Sequence, residues 1–205
     1  MTSARRATIL YPVTVFLSAF LLFLVEPMMG KFILPWFGGA PAVWSTVLLF
    51  FQILLLLGYT YSHALVRRLP LEKQSRVHLV VLAASLLLPL LLAALLDWRT
   101  PITPRPGWFL SIRSPILSIL FLLMLGVGWP YFVLSTTSSL LQTWFSRVEW
   151  GRSPYRLYAL SNLGSMLALL SYPFLVEPSL SLPRQARLWS VGYLAFVLCC
   201  GGIGV

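Results

Sequence analysis

The stretch PAVWSTVLLFFQILLLLGYTYSHA, residues 41–64, decides the fold of this chain. It contains no Asp, Glu, Lys or Arg, and it is followed by Arg67 and Arg68. A helix needs about 20 apolar residues to cross the roughly 30 Å hydrocarbon core of a bilayer, and this stretch is long enough to do so. It therefore predicts a transmembrane helix with a basic flank at its C-terminal end.

The whole chain has the composition of a membrane protein rather than that of a soluble domain. Apolar residues make up 59% of its 205 residues and charged residues 10%, and the mean hydropathy is +0.86. Soluble domains contain about 45–50% apolar and about 25% charged residues. With five further apolar runs, the predicted spans are 9–29, 41–64, 78–96, 115–145, 155–177 and 188–205. The sequence therefore predicts an all-α, polytopic membrane protein with six transmembrane helices in a single domain, 1–205.

The charges of the chain favour one orientation in the membrane. Fifteen Lys and Arg residues stand against five Asp and Glu, and they lie in small groups between the apolar runs, where they meet lipid head groups. No basic stripe with interleaved aromatic residues occurs, so no nucleic acid is predicted as a partner. With a cytoplasmic N-terminus, nine of these cations lie inside: Arg5, Arg6, Arg67, Arg68, Lys73, Arg76, Arg147, Arg152 and Arg156. This bias predicts that the N-terminus is cytoplasmic.

The pentapeptide FLVEP occurs twice, and its carboxylates, Glu26 and Glu177, are two of the five acidic residues in the chain. Each follows an apolar run and precedes a proline. A carboxylate within the membrane is costly and normally faces a cation or a polar cavity. One interpretation is that both residues bind or relay a cation, either a proton or an amine-bearing solute. The alternative is interfacial capping, with Glu26 paired to Lys31 and Glu177 paired to Arg184.

The fourth apolar region is too long for one straight span. Residues 115–145 would form a helix of about 46 Å at 1.5 Å per residue. Gly126, Gly128 and Pro130 lie in its middle. Proline lacks a backbone donor and disfavours helical geometry in the residue before it. The sequence therefore predicts a kink or a broken helix at 126–130.

A run of five hydroxyl residues, 135–139, follows this predicted break, and it begins with Ser135, Thr136 and Thr137. One interpretation is a discontinuous helix that lines a ligand pathway, as in secondary transporters. The alternative is that the hydroxyls bond to their own helix or to a neighbouring helix. Asn162 of span five has the same two interpretations, because its amide must find a partner within the membrane.

The remaining polar residues give no basis for catalysis. Cys199 and Cys200 are neighbours in an apolar run and are interpreted as small residues that face lipid or pack against other helices. His63 and His78 flank adjacent spans and are interpreted as interfacial anchors, because two histidines without cysteine or carboxylate neighbours make a poor metal site. No Ser-His-Asp or Cys-His arrangement is visible, so neither an enzyme nor a metal or other cofactor is predicted.

Three segments together resemble one family. They are FLLFLVEPMMGKFILPWFGGAPAVWSTVLLFFQILLLLGYTYSH at 20–63, GWPYFVLSTTSSLLQTWF at 128–145 and YRLYALSNLGSMLALLSYPFLVEP at 155–178. The family is the integral-membrane, major-facilitator-like domain that is fused to spermidine-synthase-like domains in many bacterial proteins. The resemblance implies a transporter-like protein of the bacterial inner membrane, with six spans that correspond to one half of a major-facilitator transporter.

The chain departs from the fused pattern because it has no soluble half. It contains no strand–GxGxxG–helix unit for a nucleotide, so spermidine-synthase activity is not expected of it. The last apolar run reaches Val205 without a charged flank, which is expected equally of a natural terminus and of a C-terminal truncation.

Two functions are therefore open at this point, and a third, an enzyme that acts on a membrane substrate, ranks last because no catalytic residues are visible. The first is a transporter-like protein for a small solute, with a cationic solute as one option. Because half of a transporter cannot alternate access alone, this function implies a homo-oligomer or a partner subunit in the lipid bilayer. The second is a non-catalytic membrane anchor or scaffold for a separately encoded spermidine-synthase-like enzyme or a larger complex.

Overall fold

The computed structural model describes residues 3–105, 114–148 and 155–204. Within these residues the chain is almost entirely helical, and no strand is formed beyond an isolated bridge between Thr100 and Thr103. The helices are α1 Ser3–Phe37, α2 Pro41–Arg68, α3 Leu71–Leu95, α4 Pro115–Leu123, α5 Trp129–Val148, α6 Tyr155–Ser171, α7 Glu177–Ser179 and α8 Leu182–Gly204. The predicted all-α fold is confirmed.

Six helical segments of the described chain are long and apolar enough to cross a membrane. Spans one to six are Ile9–Phe37, Pro41–Arg68, Leu71–Leu95, Pro115–Arg147, Tyr155–Ser179 and Leu182–Ile203. Span four contains α4 and α5, and span five contains α6 and α7. The predicted polytopic architecture with six spans is confirmed.

Two spans begin earlier than the hydropathy of the sequence indicates. Span three starts at Leu71 rather than at residue 78, with Glu72 in its first turn, where a negative charge favours the helix dipole. Span six starts at Leu182 rather than at residue 188, and Pro183 lies in its first turn, where a missing N–H costs nothing. Hydropathy reports the apolar part of each helix and misses these polar first turns.

Helix α1 is the centre of the bundle. It packs most extensively against α6 and α8, and it also contacts α5 and α2. Its side chains Val25, Met29 and Ile33 are fully buried and join a core that includes Phe51 of α2 and Tyr131 of α5. Because lipid is as apolar as these side chains, close van der Waals packing rather than hydrophobic burial holds such helices together.

Span four is continuous, so the predicted break in the helix is absent, and a π-helical turn lies at the predicted position. Between α4 and α5, residues Met124–Gly128 form a π-helical turn, and the helix then continues through Pro130. A proline leaves the carbonyl four residues earlier without its usual donor, and the wider turn accommodates that change. A Cβ atom on Gly126 would lie 2.6 Å from the carbonyl oxygen of Ile102, and one on Gly128 would lie 2.6 Å from Met124 Sδ. The glycines therefore serve close packing rather than a break in the helix.

Span five contains a second π-helical turn, Tyr172–Val176, which includes Pro173. Glu177 follows it directly and begins the short helix α7. The two FLVEP copies occupy different environments at equivalent positions. Val25 is fully buried, whereas Val176 is only partly buried, and Phe23 is partly buried, whereas Phe174 is 74% exposed. The repeat is therefore not a structural duplication.

The connector between α3 and α4 is rich in proline, and its described part, up to residue 105, folds back onto the bundle. Trp98 and Ile102 are buried, and the hydroxyls of Thr100 and Thr103 lie 2.6 Å apart. Residues 100–105 are non-helical, as Pro101 and Pro104 favour. The connector thus covers the end of the bundle next to the π-helical turn of span four.

Candidate functional site: a polar cleft between spans two, four and five

A cleft of about 460 Å³ lies between α2, α5 and α6. Its lining consists of hydroxyl and amide side chains, and no charged side chain takes part. The residues are Tyr59, Ser138, Ser139, Gln142, Thr143, Ser146, Tyr158, Ser161 and Asn162. We call this cavity the polar cleft.

The period of the α-helix places these residues on facing surfaces. On α5, Ser138 and Gln142 are four residues apart, as are Ser139 and Thr143, so each pair stacks on one face. The polar residues of span four therefore form a stripe that continues two turns beyond the predicted hydroxyl run. That spacing was visible in the sequence and is the signal that could have extended the site prediction to Gln142 and Thr143.

Hydrogen bonds connect the two walls of the polar cleft. Ser138 Oγ lies 3.3 Å from Ser161 Oγ on α6, and Gln142 Nε2 donates to Ser138 Oγ at 2.9 Å. Asn162, one residue further along α6, is exposed, and its amide makes no hydrogen bond with any described residue. Its donor and acceptor atoms are therefore available to a solute in the polar cleft.

A smaller cavity of about 190 Å³ adjoins the polar cleft and shares Tyr59, Ser139 and Thr143 with it. We call it the side recess. Its other lining residues include Ser62 and His63, near the C-terminal end of span two. Together the two cavities form a polar path in the half of the bundle on the N-terminal side of the membrane.

The predicted site residues of the hydroxyl run do not line the polar cleft. Ser135, Thr136 and Thr137 are buried, and their hydroxyls donate to carbonyls of their own helix at 2.7, 2.7 and 2.8 Å. Only the last two residues of the run, Ser138 and Ser139, face the cavity. The run therefore divides, with its first three residues packed inside the bundle.

These buried residues hold α2 against α5. Gly58 of α2 approaches Ser135 so closely that a Cβ atom on the glycine would lie 1.8 Å from the serine Oγ. One turn further along α2, Ser62 Oγ donates to the carbonyl of Thr136 at 3.1 Å. Small residues and interhelical hydrogen bonds of this kind are how membrane helices approach each other.

Glu177 is paired with a cation, but not with Arg184. Its carboxylate accepts from Lys31 Nζ of α1, and both side chains are 37% exposed. The interpretation that pairs Glu26 with Lys31 and Glu177 with Arg184 is therefore wrong. Residues five apart on a helix point about 140° away from each other at 3.6 residues per turn, so Lys31 faces span five while Glu26 does not.

Glu26 is half-buried in the middle of span one. Among the described residues its carboxylate has neither an ion-pair partner nor a hydrogen bond. The buried phenol of Tyr131 interacts electrostatically with Glu26 and also with Tyr59, which lines the polar cleft. Of the two FLVEP carboxylates, Glu26 is therefore the one without an ion-pair partner among the described residues.

His78 is not an interfacial anchor. It is 2% exposed, its Nε2 lies 4.0 Å from Cys200 Sγ, and its ring contacts those of Tyr61 and Trp144. Because α3 begins at Leu71, His78 lies two turns inside the helix rather than at its start. Within the described chain, no group of three or more His, Cys, Asp and Glu side chains is placed to hold a metal ion.

Comparison of the chain with protein-family models, with curated proteins and with solved structures finds no match. The resemblance to the membrane domain of spermidine-synthase-like fusion proteins therefore stays a prediction.

Proposed function

We propose that this protein is a transporter-like membrane protein that binds a small polar solute in the polar cleft. The observation that carries the proposal is the cleft itself, an open cavity of about 460 Å³ with a hydroxyl and amide lining in a bundle of apolar helices. Small-molecule sites have volumes of about 300–1,000 Å³. Polar side chains are costly in a membrane unless they face each other or a water-filled cavity.

The lining indicates the chemistry of the solute. Ser, Thr, Asn and Gln side chains donate and accept hydrogen bonds and carry no charge. They can form hydrogen bonds with hydroxyl, amide or amine groups of a solute, and the solute need not carry a net charge. Two phenol rings, Tyr59 and Tyr158, also face the polar cleft and can receive a cationic ammonium group on their π-faces. A small polar solute is therefore the proposal, and a cationic one is compatible with it.

Glu26 is the proposed coupling residue. A half-buried carboxylate without a cation can take up a proton or a metal cation, and intramembrane carboxylates commonly serve in such relays. Tyr131 lies within electrostatic range of both Glu26 and Tyr59, and Tyr59 lines the polar cleft. Binding of a proton at Glu26 would therefore act on the electrostatics of the cavity across two side chains. Glu177 has no such freedom, since Lys31 holds it.

A second copy of the chain, or a partner membrane subunit, is the proposed means of closing the polar cleft. The cavity is open on one side, and span five, which forms one of its walls, is the least buried of the described spans. We further propose that the protein lies in the bacterial inner membrane with its N-terminus in the cytoplasm, which follows from the resemblance and the charge bias.

The alternative function, an anchor or scaffold, predicts polar residues that pack against each other without a cavity. Ser135, Thr136 and Thr137 fit that description, whereas Asn162 and Gln142 line an open cavity. The cavity supports transport over the scaffold.

The accessibility of single cysteines to a charged, membrane-impermeant thiol reagent tests the proposed cavity. In a background with Cys199→Ala and Cys200→Ala, Asn162→Cys should react when the reagent reaches the N-terminal side of the membrane. Leu163→Cys is the matched control, because Leu163 is the next residue of α6, is 43% exposed and lines neither polar cavity. If neither Asn162→Cys nor Leu163→Cys reacts, the cleft is not filled with water and the proposal loses its support.

A further inference from the structure

A second cavity of about 230 Å³ lies on another side of α1 and shares no residue with the polar cleft. Its floor is one face of α1 from Leu17 to Met28, and its walls are span five and α8. This floor is about three helical turns long and extends over about 16 Å at 1.5 Å per residue. Because α6 and α8 pack against α1 more than against each other, the cavity opens between them toward lipid. We call it the lipid-facing groove.

The lipid-facing groove is apolar except for two side chains. Tyr172 and Gln185 both line it and are each 4% exposed. The Tyr172 hydroxyl and the Gln185 Oε1 atom are buried without a hydrogen-bond partner among the described residues. Gln185 Nε2 donates to the carbonyl of Leu180 at 2.8 Å, which fixes the amide and leaves its oxygen free. Unpartnered buried polar atoms are rare in folded proteins and indicate a missing partner.

An unpaired cation lies next to the groove-lining Gln185, in the first turn of α8. Arg184 precedes Gln185, is exposed and forms neither a hydrogen bond nor an ion pair with any described residue. It lies four residues before the groove-lining Leu188, so both occupy the same face of α8. The nearest carboxylate along span five, Glu177, is already paired with Lys31. The mouth of the groove therefore carries an unbalanced positive charge.

The order of these features matches the order of groups in a phospholipid. The apolar groove leads to a hydrogen-bond donor, the Tyr172 hydroxyl, and an acceptor, Gln185 Oε1. The cation Arg184 then lies at the membrane face. We propose that the lipid-facing groove is a specific site for an anionic phospholipid. One acyl chain lies along α1, Tyr172 donates to an ester carbonyl, Gln185 Oε1 accepts from a head-group hydroxyl, and Arg184 binds the phosphate. Basic pockets between membrane helices bind anionic head groups in this manner. The inference does not rest on the transport proposal.

Native mass spectrometry of the full chain, titrated with phosphatidylglycerol or with phosphatidylcholine, tests the site. We expect retention of one phosphatidylglycerol molecule in preference to phosphatidylcholine. Arg184→Gln should weaken phosphatidylglycerol binding about fivefold, as expected for loss of one cation near a lipid surface. Arg99→Gln is the matched control, because Arg99 is an exposed cation at the same end of the bundle but follows α3, which contributes no residue to the groove.

The groove itself is tested by Tyr172→Phe and Gln185→Leu. Each should weaken phosphatidylglycerol binding, while Tyr158→Phe in the polar cleft should not. With phosphatidylcholine alone, Tyr172→Phe should leave the melting temperature unchanged or raise it, because the substitution removes an unpaired hydroxyl. If only Arg184→Gln changes binding, the lipid contacts the surface and the groove assignment is overturned. Equal retention of both lipids by all variants would overturn the site altogether.

Discussion

Lys31 of α1 and Glu177 of span five form an ion pair that joins the central helix of the bundle to its least buried span. The pair lies directly after the π-helical turn Tyr172–Val176. The two residues lie 146 positions apart in the sequence. Either charge would be unfavourable within the membrane without the other. The pair therefore fixes the position of span five on α1, and span five in turn forms one wall of the polar cleft.

Removal of one partner of this pair should destabilise the protein. We expect Lys31→Met or Glu177→Gln to lower the free energy of unfolding by about 1–3 kcal/mol, less than the roughly 3–5 of fully buried pairs, because each side chain is 37% exposed. Thermal unfolding in detergent measures this. Exchange of the two charges, Lys31→Glu with Glu177→Lys, should restore much of the loss. Asp97→Asn, which breaks the exposed pair with Arg105, should cost at most about 1 kcal/mol.

Gly58 should not tolerate a side chain. Gly58→Ala places a Cβ atom 1.8 Å from Ser135 Oγ, so α2 and α5 must separate. Overpacking of this kind costs about 1–3 kcal/mol, which is measurable as a lower melting temperature. The matched control is Gly201→Ala in α8, where nothing lies within 4 Å of the added atom. An unchanged melting temperature for Gly58→Ala would mean that α2 and α5 are not in this close contact.

The proposed orientation of the chain, with a cytoplasmic N-terminus, predicts which connections are reached from outside the cell. In the cysteine-free background, Arg105→Cys should react with an impermeant thiol reagent added to intact cells, and Glu72→Cys should react only after lysis. Both positions are exposed in the structure, so a difference reports the side of the membrane rather than burial. The opposite pattern would reverse the assignment of a cytoplasmic N-terminus.

Glu26 should control the response of the protein to a proton gradient. With Glu26→Gln, uptake of a solute into vesicles should become independent of an imposed gradient, whereas the wild type responds. Glu177→Gln is the control, because its carboxylate is held by Lys31 and should not relay protons, although stability falls. A gradient response that survives in Glu26→Gln would assign the coupling to another group.

The spans could be predicted from the sequence because each depends on a local apolar run. Contacts between spans could not, because they depend on how the helices face each other. The pairing of Lys31 with Glu177 joins residues 146 positions apart, and hydropathy contains no information on it. The predicted pairing of Glu26 with Lys31 is wrong because residues five positions apart on a helix point about 140° away from each other.

The candidate site was predictable only in part for the same reason. The hydroxyl run 135–139 marked span four as polar, but its sequence could not tell which residues face α2 and which face the cavity. Asn162 was a predicted site residue and lines the polar cleft, whereas Ser135 lies against Gly58. The π-helical turn at Met124–Gly128 was predicted as a disturbance of the helix, and its form depended on packing against Ile102.

Solute flux into proteoliposomes tests the central claim, that the polar cleft transports a small polar solute. Radiolabelled xylitol, betaine and putrescine serve as neutral, zwitterionic and cationic probes. We predict that at least one enters vesicles that contain the protein faster than protein-free vesicles. Asn162→Leu should reduce that flux about tenfold, the effect of one lost hydrogen bond of about 1.4 kcal/mol, while Leu163→Ala leaves it unchanged. Equal entry of all three probes into vesicles with and without the protein would contradict the account.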